Sequence, residues 1–164
     1  MDILERLLKH DTWTTRQLLS RCRELTPGQL DQRFDIGQGT LRATLVHLIW
    51  NIEAWTDLMI GRPRRAKPAG ERAASVDGLI ERHEAAAAEF EAFARRIAAE
   101  GRLDETWLDV LDNPPQPKTF GSTIAHVITH SLAHRVEVLH MLQRLGLDNL
   151  IEGDVLSWEL QGKE

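Results

Sequence analysis

His126, His130 and His134 recur at every fourth position through the apolar stretch between Phe120 and Leu145. Imidazole is the commonest side-chain ligand for divalent transition metals, and two of them four residues apart on one helix can reach a single ion. Each step of four advances about 40° around a helix, so the three rings trace a slow spiral, not a column. Ile124, Val127, Ile128, Val138, Leu139, Leu142 and Leu145 set the inward direction of this helix. His134 lies closest to that direction, His130 next and His126 farthest out. The spacing therefore favours His130 and His134 as the ligand pair and leaves His126 behind the ligands or on the rim. His47 sits at the edge of a second apolar helical stripe, one turn before Asn51. Together, His47, His130 and His134 would make a three-histidine site with coordination positions left open, the arrangement of a catalytic metal. The competing reading is that all three are half-buried core histidines bonded to backbone or carboxylate groups. Peptide hydrolysis of the zinc-protease type is disfavoured, because His130-Ser-Leu-Ala-His134 carries no glutamate between its histidines.

Other polar residues fall where the pattern expects burial. His83 lies on the apolar stripe of the third long helix and either lines the same pocket or is a satisfied core histidine. Asp11 and Arg135 occupy buried positions on the first and last long helices, and buried charges need partners. Paired with each other, they would fix the rotation of the last helix and hence of His134. Asn51, His126, Asp11 and Glu53 are candidates to orient a bound ligand or support a ligating imidazole. His10 reads as a rim residue and His140 as exposed. Trp13, Trp50 and Trp55 are candidates for a pocket wall or a subunit interface, Trp55 more for core packing.

The elements that must carry these residues are helices. Apolar residues at Ile3, Leu4, Leu7, Leu8, Leu18, Leu19, Cys22 and Leu25 follow the 3.6-residue period after the Asp2/Glu5 capping-box spacing, giving a helix over about 3–25. Thr26-Pro27 starts a short helical turn that breaks at Gly37-Gln-Gly39. Thr40 caps a second long helix that stops at Gly61, and a loop occupies 61–74. A third long helix runs over about 75–100 and a fourth over about 120–145, ended by Gly101 and Gly146. Between them, Thr106-Trp-Leu-Asp-Val110 and Pro114-Pro-Gln-Pro117 suit a short extended excursion or hairpin. A final helical turn or two follows over 154–160. The pattern describes an all-α four-helix bundle, with loops long enough to permit a crossover.

With 164 residues, 42% of them hydrophobic, the chain is expected to form one domain over 1–164. A formal charge of −5 speaks against nucleic-acid binding as the main task. The basic run Arg62-Pro-Arg-Arg-Ala-Lys67 is read as a solvated loop. No apolar run approaches membrane-spanning length and the start lacks a signal-peptide layout, so a cytoplasmic location and no membrane partner are expected. Cys22, the single cysteine, falls on the apolar stripe and reads as a buried, inert thiol.

Trp13, Leu45-Val-His47-Leu, His126-Val-Ile-Thr-His130-Ser-Leu-Ala-His134-Arg135 and Leu145-Gly146 together resemble the DinB/YfiT-like superfamily of helical-bundle metalloproteins, over most of the chain. The resemblance implies up-down-down-up helix order, a divalent metal, zinc or nickel, on His47, His130 and His134, and a homodimer. It also implies a wide range of activity: some relatives look like S-transferases or isomerases that use low-molecular-weight thiols, others carry only a damage-inducible label. This chain differs from the thiol-dependent isomerases in offering His130 where a glutamate can be a ligand. The expected function is transfer of a metal-activated thiolate to a small-molecule electrophile. The alternatives are hydrolysis by a metal-activated water and a non-enzymatic stress-response module with a structural or adventitious metal.

Overall fold

The computed structural model describes residues 1–68 and 75–161. Four long helices, α1 (Ile3–Arg21), α3 (Leu41–Met59), α4 (Val76–Ala99) and α5 (Phe120–Arg144), are joined by a short α2 (Pro27–Leu30) and by a hairpin of β1 (Thr106–Asp109) and β2 (Gln116–Thr119). A terminal α6 (Val155–Gln161) lies on α1. Both α1 and α3 pack against α4 and α5.

Local chemistry sets the starts. Asp2, Thr26, Thr40, Ser75 and Thr119 each accept a hydrogen bond from the backbone N–H three residues on, and Thr26 with Gln29 completes a reciprocal capping box. The first helix tightens into a 3₁₀ turn over Cys22–Glu24, so its α-helical part ends earlier than the periodicity implies. Only residues 61–68 of the expected 61–74 loop are described; the remainder lies outside the described residues.

The buried seam of α5 runs through Phe120, Ile124, Val127, Ser131, His134, Val138 and Met141. This alternation of four and three residues keeps one face toward the core, and its polar members enter the interior between aliphatic neighbours. Against it lie Leu41, Leu45, Leu48, Ile49 and Ile52 of α3, with Leu79, Phe90, Ala94 and Ile97 of α4 closing the core.

The excursion before α5 is an antiparallel hairpin, with Thr106 opposite Thr119 and Asp109 opposite Gln116. Asp109 is buried; its carboxylate accepts the Leu111 N–H at 2.9 Å and holds the Lys118 ammonium at 2.5 Å. Because β2 runs without a gap into α5, the hairpin stands beside the first turns of that helix. No helix among the described residues is long and apolar enough to cross a membrane.

Candidate metal centre

The inward order of the α5 histidines is the order of their burial: His134 is 9% exposed, His130 half-buried and His126 exposed. From α3, His47 enters the same space, half-buried. Ring centroids are 4.7 Å apart for His47 and His134, 4.5 Å for His130 and His134, and 5.5 Å for His47 and His130. One ring nitrogen from each of the three lies within 4.8 Å of those of the other two.

Hydrogen bonding fixes the tautomer of one member. The Nδ1–H of His134 donates to Glu137 Oε2 at 2.6 Å, since a carboxylate can only accept, and this leaves Nε2 with a free lone pair. The other two rings lack the partners that a core histidine needs: the Nδ1 atoms of His47 and His130 are buried without a hydrogen bond. Burial, reinforced by neighbouring imidazoles, pushes the pKa of both down to about 4, so both are neutral near pH 7. The donor set is three imidazoles, two neutral and one backed by a carboxylate, and it fits a divalent transition metal.

Glu137 was not singled out from the sequence. Its signal was the i, i+3 spacing from His134, which places both side chains on one helix face. Behind it stands Gly37, with φ at +57°, where an added Cβ would lie 2.7 Å from Thr44 Oγ1 and 3.1 Å from Glu137 Oε2. Only glycine meets both the left-handed backbone and the close approach.

His126 stays outside the three-ring cluster, 5.4 Å from His130 by ring centroids and 5.2 Å, edge to face, from Trp55. With Trp55 it lines an open cavity of about 550 Å³ bounded by Pro117, Lys118, Thr119, Ser122 and Thr123. The hairpin thus supplies a wall beside the centre. Trp55 packs on the core and faces this cavity, whereas Trp13 lines a separate depression with Trp158.

Several expected roles are corrected by where the side chains go. The Asn51 carbonyl oxygen accepts the Trp55 indole N–H at 3.0 Å, so Asn51 supports that tryptophan and no imidazole. Glu53 is bound by the Arg82 guanidinium of α4, with Nε at 2.8 Å. Asp11 and Arg135, by contrast, pair with each other in the interior as their buried positions lead one to expect, and Arg135 Nη1 also reaches Thr15 Oγ1 at 3.3 Å. Although adjacent to His134 in sequence, Arg135 is turned by the helix into the seam with α1 and bonds none of the three histidines. His83 is fully buried, with neither ring nitrogen partnered, and it does not line the cavity. Desolvation and the nearby Arg135 charge lower its pKa to about 4. His10 is also buried rather than on the rim, its Nε2–H donating to the Gly153 carbonyl at 2.9 Å.

A family model described as the DinB family matches residues 1–154 of the chain. No curated protein matches it.

Proposed function

Since the chain belongs to the DinB family, we propose that it is a metal-dependent enzyme on an up-down-down-up four-helix bundle, transferring a low-molecular-weight thiol to a small electrophile. The observation that carries this reading is the convergence of His47, His130 and His134 without hydrogen-bond partners of their own, apart from the Glu137 tether. These three residues would hold Zn²⁺ or Ni²⁺. A divalent cation on neutral imidazoles keeps its double charge and, when bound, acidifies a thiol or a water molecule at the open positions.

The chain's own groups supply the rest. Glu137 holds the His134 ring in one tautomer and orientation. His47 and His130 need release no proton to ligate near pH 7, because their pKa values are already about 4. Trp55 offers an apolar wall for the electrophile, and the cavity it shares with His126 has room for a small molecule.

Elemental analysis of untagged protein tests the metal, and the Co²⁺-substituted protein tests the chemistry. About one equivalent of metal is expected, lost in His47→Ala, His130→Ala and His134→Ala, together with a change in the Co²⁺ ligand-field spectrum on adding thiol. Protein that carries no metal and takes up neither Zn²⁺ nor Ni²⁺ would sink the reading. A centre that binds metal but ignores thiols would leave hydrolysis or a structural metal in its place.

A further inference from the structure

The basic run at 62–67 is an exposed loop, as its composition suggests, but two of its arginines anchor it to the helices. Asp57 of α3 is fully buried, and its carboxylate accepts the Arg65 backbone N–H at 2.8 Å and the Arg65 Nη2 at 2.8 Å while also binding Arg62. Glu89 of α4 takes the other side of the same two guanidinium groups, each at 2.7 Å. The Trp50 indole N–H donates to the Arg65 carbonyl at 3.0 Å. Arg62 and Arg65 are therefore consumed in holding the segment down across α3.

What the anchoring leaves over are Arg64 and Lys67. Both are exposed, and neither has an ion-pair partner among the described residues. Both stand over the Trp50 ring, with the Arg64 guanidinium carbon 5.3 Å and the Lys67 ammonium 6.0 Å from its centroid. Trp50 is also a neighbour of His47, at 6.1 Å between ring centroids. A guanidinium stacked on an aromatic face keeps its N–H edge free for the two oxygens of a planar anion. In a chain of net charge −5, two cations without an ion-pair partner among the described residues thus stand at one edge of the histidine cluster.

We propose that Arg64 and Lys67, mounted on Trp50, form a docking site for the anionic oxygen group, carboxylate or phosphate, of the small molecule that is brought to the histidine cluster. Two cations at the edge of the histidine cluster favour an anion and repel a cation. Two are too few to track a nucleic-acid backbone, whose binders contact many phosphates. Assigning the docked molecule as the thiol or its acceptor rests on the proposed function, whereas the anion site itself rests on the strap.

The test follows the Trp50 indole N–H by NMR in the full chain with Zn²⁺ added, the resonance being assigned with Trp50→Phe. Propionate, methyl phosphate, 3-mercaptopropionate, 2-mercaptoethanol and cysteamine are the probes. Both simple anions should move the Trp50 signal, the tighter one naming the preferred group, and about 0.5 M salt should weaken the effect. The mercapto acid should bind about tenfold tighter than the neutral thiol, the scale of two exposed charge contacts. In Arg64→Gln/Lys67→Gln that ratio should fall to about one, and in Arg64→Glu/Lys67→Glu cysteamine should become the preferred thiol. Equal affinity of the acid and neutral thiols in the unaltered protein, or an unchanged preference in the folded double variants, would overturn the proposal. Because propionate carries no thiol, a Trp50 response to it alongside a thiol-silent Co²⁺ spectrum would keep the anion site and discard the thiol chemistry.

Discussion

Replacing Glu137 should loosen metal binding at the histidine cluster while leaving the fold intact. Its Oε2 accepts a hydrogen bond from the His134 Nδ1–H at 2.6 Å, a charge-assisted bond that holds the ring and leaves the Nε2 lone pair for a ligand role. The carboxylate is 33% exposed, so its removal opens no cavity and its charge is already partly screened. Carboxylates that support a ligating histidine are typically worth 10–100-fold in metal affinity, or about 1.4–2.7 kcal/mol. Glu137→Gln keeps an acceptor for Nδ1–H but loses the negative charge, and about tenfold is expected. Glu137→Ala loses the acceptor as well, freeing the other tautomer and the ring rotation, and should approach a hundredfold. Competition for Zn²⁺ against a chelator of known affinity, at pH 7 and fixed ionic strength, gives the three constants. The order must be wild type, then Gln, then Ala. An alanine variant within about twofold of wild type would refute the idea that this bond sets the working tautomer of His134.

Arg135→Ala strands the buried Asp11 carboxylate and should cost about 3–5 kcal/mol in urea unfolding, with Asp11→Leu/Arg135→Met recovering most of it; a loss under about 1 kcal/mol would argue against a functional pair. The folded-state pKa of His83, about 4, lies below the ordinary 6.5, so the unfolded chain binds the extra proton first. Stability of metal-free protein is therefore full above pH 6.5 and falls as the pH drops from there toward 4, His47 and His130 adding in the same sense. His83→Leu should flatten part of that slope in a pH series of melting curves without lowering the pH 7 midpoint, since it also removes two unpartnered buried nitrogens. The Cys22 thiol, fully buried and pushed up to about 12, should resist alkylation in the native protein and react at once in denaturant.

The helices and the inward order of the α5 histidines were legible because both depend on spacing within one segment. Caps at Asp2, Thr40 and Thr119 are i, i+3 events, and the burial of His134 before His130 before His126 follows from the apolar residues of the same helix. Illegible were contacts between segments far apart in sequence. Asp11, Glu53 and Glu137 are all carboxylates near an apolar stripe, yet the first goes to Arg135, the second to Arg82 and only the third to an imidazole. Two buried charges point to the Asp11–Arg135 pair and i, i+3 spacing points to the Glu137–His134 bond, but Glu53 finds Arg82 only through the packing of α3 on α4. His10 offers a second case: a terminal segment 143 residues away covers it and supplies the Gly153 carbonyl. The anchoring of the 61–68 loop was hidden for a similar reason, since Glu89, which holds both Arg62 and Arg65, lies on another helix.

Gly37 gives the loop before α3 a mechanical bearing on α5. The loop is closed by Phe34 N–H to the Gly39 carbonyl at 2.9 Å and pinned by Gln38 N–H to Thr44 Oγ1 at 3.1 Å. With no side chain at Gly37, this closed loop seats directly against the Glu137 carboxylate and limits how far it can swing. Drawing His134 onto a cation would draw Glu137 after it and seat the loop more firmly. Slower exchange of the Gln38 and Gly39 amides would then report occupancy of a site to which the loop contributes no ligand.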